Sequence, residues 1–349
     1  MSNNERCCMT SQITSGKENC DNYGGQCANQ NNYRCNNGEF KLLGSNNELL
    51  CSAWSTNNER CCMAASPIVG TATTRAPSSV NTSVKPALND ATTTCGIQKV
   101  SGFKKRVIGG NVADKGEWPW QVSIIKSTSF YGRSFSHTCG GTIISPEWIV
   151  SAAHCFQGLT SSYNIRMRVG EHSQYVDEGT EYNAVVSKIM VHPQYSYSQN
   201  YNDIALVKLS KPLDITQKYI RAACLPSMDE ISDFYNNDEC YTTGWGKTSS
   251  AGSVSPILRE VQSSLVSQSS CRRKWGSQID STKVCFGNGY KGACQGDSGG
   301  PLVCKKNGRY SLVGAVSFGS KSCTDPYVPT VYTSVAFYKS WIDQVMASN

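Results

Sequence analysis

Short hydrophobic runs, separated by glycine and proline, dominate the chain from Cys95 onward. Runs rich in β-branched and aromatic residues lie at 122–125, 204–209 and 312–318. Many short strands with turn residues between them are typical of an all-β sandwich or barrel. Helical spacing occurs in the tail, over about 335–346, where one face holds Val335, Tyr338, Ile342 and Val345. The pattern therefore predicts an all-β domain that ends in a helix.

The first 94 residues differ in composition from the rest and divide into two parts. Residues 1–62 are rich in asparagine and hold eight cysteines. Residues 63–94 contain neither cysteine nor an aromatic residue, and 14 of these 32 positions are Ser, Thr or Pro. Such a segment cannot bury enough surface to offset the entropy of ordering it. We expect a small disulfide-rich module followed by a disordered linker, in which Asn81 begins an N-glycosylation triplet.

A seven-residue repeat marks the module. Asn-Asn-Glu-Arg-Cys-Cys-Met stands at 3–9 and again at 57–63. The second copy closes a set of six cysteines, namely Cys20, Cys27, Cys35, Cys51, Cys61 and Cys62. The first copy would then end an earlier module, and the first 20 residues lack the apolar stretch of a signal peptide. We expect the sequence to begin within a longer protein, after a missing signal and most of one module.

The cysteines and the charge distribution exclude several functional classes. The 18 cysteines include no Cys-x-x-Cys pair, and the first 136 residues contain no histidine, so disulfides in a secreted protein are a better interpretation than zinc sites. The net charge of +7 arises mostly in residues 63–106, which hold six Lys or Arg against one acidic residue. A basic linker is not a nucleic-acid surface. No apolar run reaches the ~18 residues that span a bilayer. We expect neither nucleic-acid binding nor a membrane span.

Three motifs after residue 106 carry the groups needed for acyl transfer. They are Ser-Ala-Ala-His-Cys at 151–155, Asn-Asp-Ile-Ala-Leu at 202–206 and Gly-Asp-Ser-Gly-Gly-Pro at 296–301. Acyl transfer to water needs a nucleophile, a base within hydrogen-bond reach and a buried carboxylate that orients the base. Ser298, His154 and Asp203 supply these groups. The glycine-rich loop allows the backbone N–H groups of Gly296 and Ser298 to point at a developing oxyanion.

These motifs resemble the trypsin/chymotrypsin family of serine endopeptidases, and the resemblance extends from Cys95 to the C-terminus. Further matching segments are Trp-Pro-Trp-Gln-Val at 118–122, Cys-Gly-Gly-Thr at 139–142, Gly-Trp-Gly at 244–246 and Val-Tyr-Thr at 331–333. The resemblance implies two six-stranded antiparallel β-barrels with the active site in the cleft between them and a C-terminal helix. It implies a protease domain at 107–349 after an activation segment at 95–106. The implied disulfides are Cys95–Cys224, Cys139–Cys155, Cys240–Cys304, Cys271–Cys285 and Cys294–Cys323.

The six-cysteine module resembles the clip domains of invertebrate serine proteases, in which spaced cysteines end in an adjacent pair. This resemblance implies the pairs Cys20–Cys61, Cys27–Cys51 and Cys35–Cys62. The spacing alone leaves the other connectivities open. The region 1–62 is then either a docking module for another protein or surface, or a spacer without a partner.

The segment Lys-Lys-Arg-Val-Ile-Gly-Gly at 104–110 resembles the activation site of the family's zymogens. Cleavage after Arg106 would free the amine of Val107 to pair with the carboxylate of Asp297 and so order the oxyanion loop. His137 matches the residue that holds this aspartate before cleavage. We expect the uncut protein to be inactive.

Five residues are expected to contact the substrate: Gly292, Ser317, Phe318, Gly319 and Thr330. Ser317 matches the family segment that pairs with the substrate backbone as an added strand. Gly292 stands at the pocket base, where trypsins have Asp, so no carboxylate compensates a buried Lys or Arg. Gly319 leaves one wall open, while Thr330 makes the pocket shallower. We expect a preference for Leu or Met, with Phe and Tyr accepted and Trp poor.

The pocket interpretation has one alternative. The carboxylate of Asp325 could turn inward and give trypsin-like specificity. If it does not, the enzyme cannot cut its own Lys-Lys-Arg site and needs a trypsin-like activating protease.

The segment 171–181 resembles the calcium loop of trypsins. The carboxylates of Glu171, Glu178 and Glu181 match its ligands, and Ser173 and Val176 offer backbone carbonyls. Hard oxygen ligands suit Ca²⁺. The alternative is an acidic hairpin that binds no metal, and no cofactor is required for the chemistry.

A second class of function is a protease-like binding or scaffold protein in an extracellular cascade. The sequence of such a protein would lack the serine, histidine or aspartate, but Ser298, His154 and Asp203 are all present here. Expected partners of the enzyme are a protein or peptide substrate, the activating protease and a serine protease inhibitor.

Overall fold

The computed structural model describes two units, Met1–Ser83 and Val84–Asn349. In the first, the described parts are five strands. In the second, they are residues 95–100, 110–127, 134–159, 161–237, 239–248, 251–289, 291–323 and 325–349. Residues 65–94 of the expected linker, with Asn81, lie outside the described residues, whereas residues 63 and 64 belong to the last strand of the first unit. The cleavage site at Arg106 and Val107 and the cysteine pairs of the module also lie outside the described residues.

The strands of the first unit form one antiparallel sheet in the order β1-β5-β4-β3-β2. They are β1 (Arg6–Met9), β2 (Tyr33–Asn36), β3 (Glu39–Leu42), β4 (Glu48–Ala53) and β5 (Arg60–Ala64). The two copies of the repeat pair with each other in this sheet, because Cys7 lies opposite Cys62 and Cys8 opposite Cys61.

The second unit begins with a short strand, β6 (Asn111–Val112), and continues into a closed barrel in the order β10-β11-β12-β9-β8-β7. The barrel strands are β7 (Gln121–Ser127), β8 (Phe135–Ser145), β9 (Trp148–Ser151), β10 (Ile165–Val169), β11 (Tyr182–Val191) and β12 (Ala205–Leu209). Alternation is clear in β10, where Ile165, Met167 and Val169 are buried and the two arginines between them are half-buried. The expected first six-stranded barrel is confirmed.

The remaining strands form a sheet in the order β15-β16-β19-β18-β17-β13-β14-β6. They are β13 (Cys240–Gly244), β14 (Arg259–Ser263), β15 (Leu265–Val266), β16 (Lys283–Phe286), β17 (Pro301–Lys306), β18 (Arg309–Phe318) and β19 (Thr330–Ser334). β14 and β15 are parts of one segment interrupted at Ser264, whose carbonyl accepts a hydrogen bond from Gly287 N. If β14 and β15 are counted as one strand, that strand pairs with β13 at one end of the sheet and with β16 at the other. The six strands then form a ring. β6 is an added edge strand that the sequence pattern did not predict.

Three α-helices occur in the described residues: α1 (Ile231–Phe234), α2 (Gln268–Trp275) and α3 (Lys339–Ser348). The tail helix was expected over about 335–346, but Val335 and Tyr338 belong to a turn that precedes it. Ile342 is buried, and Val345 packs beside it against the core of the first barrel. None of the described helices is long and apolar enough to cross a membrane.

All five disulfides implied for the protease domain are present. Cys139–Cys155 closes the segment that carries His154, and Cys294–Cys323 joins the loop before Ser298 to the loop after β18. Each closure contributes about 2–4 kcal/mol of stability. The pairs therefore brace the loops that carry the candidate site.

Candidate active site

His154 and Asp203 are joined by two hydrogen bonds. His154 lies in a short 3-10 turn, Ala153–Phe156, directly after β9, and Asp203 lies just before β12. The imidazole Nδ1 is 2.8 Å from Asp203 Oδ2, and the backbone N–H of His154 donates to Oδ1 at 3.0 Å. Because the carboxylate accepts at Nδ1, the free base must carry its proton there. Nε2 is then the nitrogen available to accept a proton.

Asp203 is fully buried and satisfied by further donors. Ser317 Oγ donates to Oδ2 at 2.6 Å, and Thr333 Oγ1 donates to the backbone carbonyl of Asp203 at 2.8 Å. Burial acts to raise the pKa of Asp203, but the hydrogen bond and charge of His154 and the Ser317 hydroxyl outweigh it and hold the pKa below its usual value. The carboxylate is therefore ionised throughout the neutral range.

Ser298 lies in a tight turn whose glycines cannot be replaced. Gly299 has φ +75°, and a Cβ built on it would lie 2.1 Å from Ser151 Oγ. The backbone N–H of Gly140 donates to the carbonyl of Ser298 at 2.7 Å, and Cys155 Sγ lies 3.5 Å from that same oxygen. These contacts join the serine turn to β8 and to the disulfide beside His154.

His137 supports the oxyanion loop. Its Nε2 is 2.8 Å from the carbonyl oxygen of Gly296, which can only accept, so Nε2 carries the proton. Nδ1 then accepts from Ser123 Oγ at 2.8 Å. Burial lowers the pKa of His137, although the bond to Gly296 opposes that effect, so the ring is neutral. The resemblance implied that His137 holds the carboxylate of Asp297, but the ring bonds to the backbone one residue earlier.

The carboxylate of Asp297 accepts instead from two backbone N–H groups. Oδ1 accepts from Gly246 N at 2.7 Å, and Oδ2 accepts from Cys294 N at 2.9 Å. A Cβ on Gly244 would lie 2.1 Å from Oδ1, which explains the glycine there. Burial raises the pKa of Asp297 to about 6, against these two hydrogen bonds. In the described part of the chain, no cation pairs with this carboxylate.

Comparisons with known proteins agree with this geometry. The Trypsin family model matches residues 107–342. The chain belongs to the trypsin family. It is 41% identical over 249 residues to chymotrypsin-like elastase family member 1 of Rattus norvegicus, covering 69% of this chain and 90% of the rat protein. The human protein of the same name is 40% identical over 251 residues, covering 70% and 93% of the two chains. The dog protein is 38% identical over 259 residues, covering 72% and 96%. The protein is a serine endopeptidase.

Thr330 lies beside two of the glycines that were expected to contact the substrate. A Cβ on Gly292 would lie 2.4 Å from Thr330 Oγ1, and a Cβ on Gly319 would lie 3.6 Å from Thr330 Cγ2. The threonine thus lies against both glycines. Phe318 stands edge-on to Trp275, with ring centroids 5.2 Å apart. Gly292, Gly319 and Thr330 thus lie together, and the role of the five named residues in substrate binding stays a prediction.

Asp325 faces the solvent. It is exposed, and its carboxylate accepts a hydrogen bond from Ser320 Oγ. Hydrogen bonds from Ser320 and Ser322 hold the pKa of Asp325 below its usual value. The inward orientation required for trypsin-like specificity is not the one this carboxylate adopts.

The carboxylates of the calcium-like loop have protein partners. Glu178 Oε2 accepts from Ser173 N at 2.9 Å, and its other oxygen lies 3.7 Å from Lys115 Nζ. Both oxygens of Glu181 accept backbone N–H groups within the loop. The three carboxylates do not converge on one point among the described residues. These hydrogen bonds hold the shape of the loop.

Glu171 is the carboxylate of this loop that fits a cation. One oxygen accepts from Arg168 Nη1 at 3.0 Å, and the other, Oε2, is buried without a hydrogen-bond partner among the described residues. Burial raises the pKa of Glu171 to about 7 against the charge of Arg168, and the charge of Glu181 adds to the rise. An orphaned, buried oxygen near a second carboxylate is chemically suited to a hard cation.

Sequence reasoning missed two residues at the site. Thr333 donates to the backbone of Asp203, and its signal was the Val-Tyr-Thr segment, which the analysis matched without giving it a role. Lys283 is buried on β16, and its signal is a cation that opens an otherwise apolar strand.

Proposed function

We propose that this chain is the zymogen of a secreted serine endopeptidase, activated by cleavage after Arg106 and selective for apolar residues of medium size before the scissile bond. The single observation that carries the specificity is the contact of Thr330 with Gly292 in a pocket whose neighbouring carboxylate, Asp325, faces outward. The names of the relatives, chymotrypsin-like elastases, support the same class of substrate.

The chemistry proceeds through an acyl-enzyme. His154 Nε2 takes the proton of Ser298 Oγ as this oxygen attacks the peptide carbonyl, and the backbone N–H groups of Gly296 and Ser298 stabilise the oxyanion. The imidazolium then donates its proton to the leaving amine. Asp203 holds the tautomer and stabilises the imidazolium, a role that its hydrogen bonds to the ring Nδ1 and to the backbone N–H of His154 support. A water molecule then attacks the ester of the acyl-enzyme, with His154 Nε2 taking its proton. The imidazolium returns this proton to Ser298 Oγ as the acid product leaves.

Profiling with a fluorogenic peptide library tests the pocket. We expect dominant cleavage after Leu or Met, weaker cleavage after Phe or Tyr, and little after Trp, Lys or Arg. Thr330→Gly should deepen the pocket and raise kcat/KM for Phe and Tyr substrates by about 10-fold or more. Asp325→Asn is the matched control and should leave the profile unchanged. Dominant cleavage after Lys or Arg that disappears in Asp325→Asn would show the trypsin-like alternative to be right.

We also propose a structural calcium site at the loop 171–181, held by the carboxylates of Glu171 and Glu181 with the backbone carbonyls of Ser173 and Val176. Glu178 would act indirectly, by holding Ser173 N. The bound ion would supply positive charge to the buried Oε2 of Glu171, and its affinity should increase as this carboxyl deprotonates between pH 6 and 8.

Millimolar calcium should therefore raise the melting temperature by a few degrees at pH 8, because a ligand at ~100 times its Kd stabilises by about 2.7 kcal/mol. Calorimetry with calcium and with a chelator measures this. Glu171→Gln should remove the increment, whereas Glu147→Gln, on the β8–β9 turn, should retain it. An identical melting temperature in calcium and in chelator would contradict the site.

The N-terminal unit has a separate role in this proposal. The clip-like module docks to another protein or surface, while Cys95–Cys224 keeps it attached after cleavage. A trypsin-like protease activates the enzyme and a serine protease inhibitor limits it. Labelling of the cleaved protein by a fluorophosphonate separates this enzyme from a binding or scaffold protein, which would not react.

A further inference from the structure

Lys283 is a buried cation in an apolar setting. It opens β16, whose other residues are Val, Cys and Phe, and its side chain is 1% exposed. Its Nζ donates to the backbone carbonyl of Asn200 at 2.9 Å. No carboxylate in the described part of the chain forms an ion pair with it. Burying a lysine in this way is costly, and an apolar side chain of the same size would pack at lower cost.

The acceptor belongs to the turn that presents the catalytic aspartate. Asn200 and Asn202 both have left-handed backbone conformations, with φ of +53° and +52°, and Asp203 follows directly. Tyr338 OH donates to Asn202 Oδ1 at 2.7 Å. Left-handed residues cost free energy unless the surroundings hold them. Lys283, on β16, and Tyr338, the residue before α3, therefore both hold this turn.

The charge of Lys283 acts on the same carboxylate. Burial lowers the pKa of Lys283, whereas the negative charges of Asp203 and Asp280 oppose that effect. The interior around the triad thus holds one buried anion, Asp203, and one buried cation, Lys283. The ammonium attracts the carboxylate of Asp203 across this interior.

Three other titratable groups near the triad, Tyr195, Tyr338 and Lys126, do not replace the positive charge of Lys283. Tyr195 and Tyr338 face Asp203, and burial raises the pKa of each to about 12, so both are neutral at working pH. From β7, Lys126 Nζ donates to the carbonyl of Cys155 at 2.5 Å, and burial lowers its pKa. Lys126 is only half-buried, and water screens its charge more than that of Lys283.

We propose that Lys283 is a positioning residue of the triad, whose ammonium fixes the turn from Asn200 to Asp203. It touches neither substrate nor the reacting atoms. Its effect therefore appears in kcat, and KM for a peptide substrate stays within about two-fold.

The test compares the full chain with Lys283→Met, which keeps the size of the side chain and removes both charge and donor. Each protein is activated by limited trypsin digestion, and its competent sites are counted with a fluorophosphonate. Wild-type protein that fails to label would contradict the proposed activation rather than the role of Lys283. Lys306→Met, which removes a half-buried lysine paired with Asp233, is the matched control for loss of one positive charge.

We expect Lys283→Met to act on kcat and to leave KM within about two-fold of the wild-type value. Loss of the anchor should lower kcat by about 3–10-fold through misplacement of Asp203. Lys283→Arg, which keeps charge and donor, should retain most of the wild-type kcat. The melting temperature of Lys283→Met should equal or exceed that of the wild type.

A merely structural role predicts a different outcome. An unchanged kcat in Lys283→Met, or a fall in kcat matched by an equal rise in KM, would overturn the proposal. So would a loss of kcat of equal size in Lys306→Met, because it would reflect net charge rather than this residue. If Lys283→Arg does not fold, the comparison of Lys283→Met with Lys306→Met alone decides.

Discussion

Replacing Ser298 by alanine should lower kcat of the activated enzyme by about five to six orders of magnitude, because the covalent route is lost and only binding and the oxyanion groups remain. The fold should be unaffected, since the turn is held by backbone bonds from Gly140 and to Val316 rather than by the hydroxyl. The measurement is the rate of release from a Leu peptide anilide, with circular dichroism as the check on folding.

Two controls make this result specific. Ser320→Ala, in the loop after β18, should keep wild-type kcat, since its hydroxyl bonds only to neighbouring side chains and to the N–H of Ser322. Combining Ser298→Ala with His154→Ala should cost little beyond the first change, because the two groups act as a unit. Fluorophosphonate labelling that persists in Ser298→Ala would identify another nucleophile and contradict the assignment.

The local features of the fold were predictable from the sequence. The apolar runs at 122–125, 204–209 and 312–318 fall within or overlap β7, β12 and β18. Strand alternation and turn residues are local signals, so they survive in a single sequence. The tail helix was placed about two to four residues too early, because Val335 and Tyr338 are buried from a turn and only resemble a helical face.

Long-range contacts were not predictable in the same way. Ser317 was expected to bind substrate, but its hydroxyl also donates to Asp203 across 114 residues of sequence. His137 bonds to Gly296 instead of the carboxylate of Asp297. The Lys283 bond to Asn200 spans 83 residues. Residue type shows what a side chain can donate, but which carbonyl lies opposite depends on the packing of distant strands.

Arg106→Gln should leave the protein inactive after exposure to trypsin, with kcat/KM reduced by about three orders of magnitude or more relative to the cleaved wild type. The physical reason is the carboxylate of Asp297. With a pKa of about 6 it is ionised at pH 8, while buried and bonded only to the N–H groups of Gly246 and Cys294. The amine of Val107, once freed, would neutralise this charge and fix Gly296 for the oxyanion.

Lys105→Gln is the matched control, since it removes a neighbouring basic residue but leaves the bond after Arg106 to be cut. It should activate normally, and mass spectrometry should find Val107 as the new N-terminus. Asp297→Asn should be cut at the same bond and still lack activity, which separates cleavage from the ion pair it creates. Cleaved wild-type protein should run as one band without reductant, because Cys95–Cys224 joins the fragments. Full activity in uncut Arg106→Gln would mean that the buried carboxylate needs no new amine, and the zymogen interpretation would be wrong.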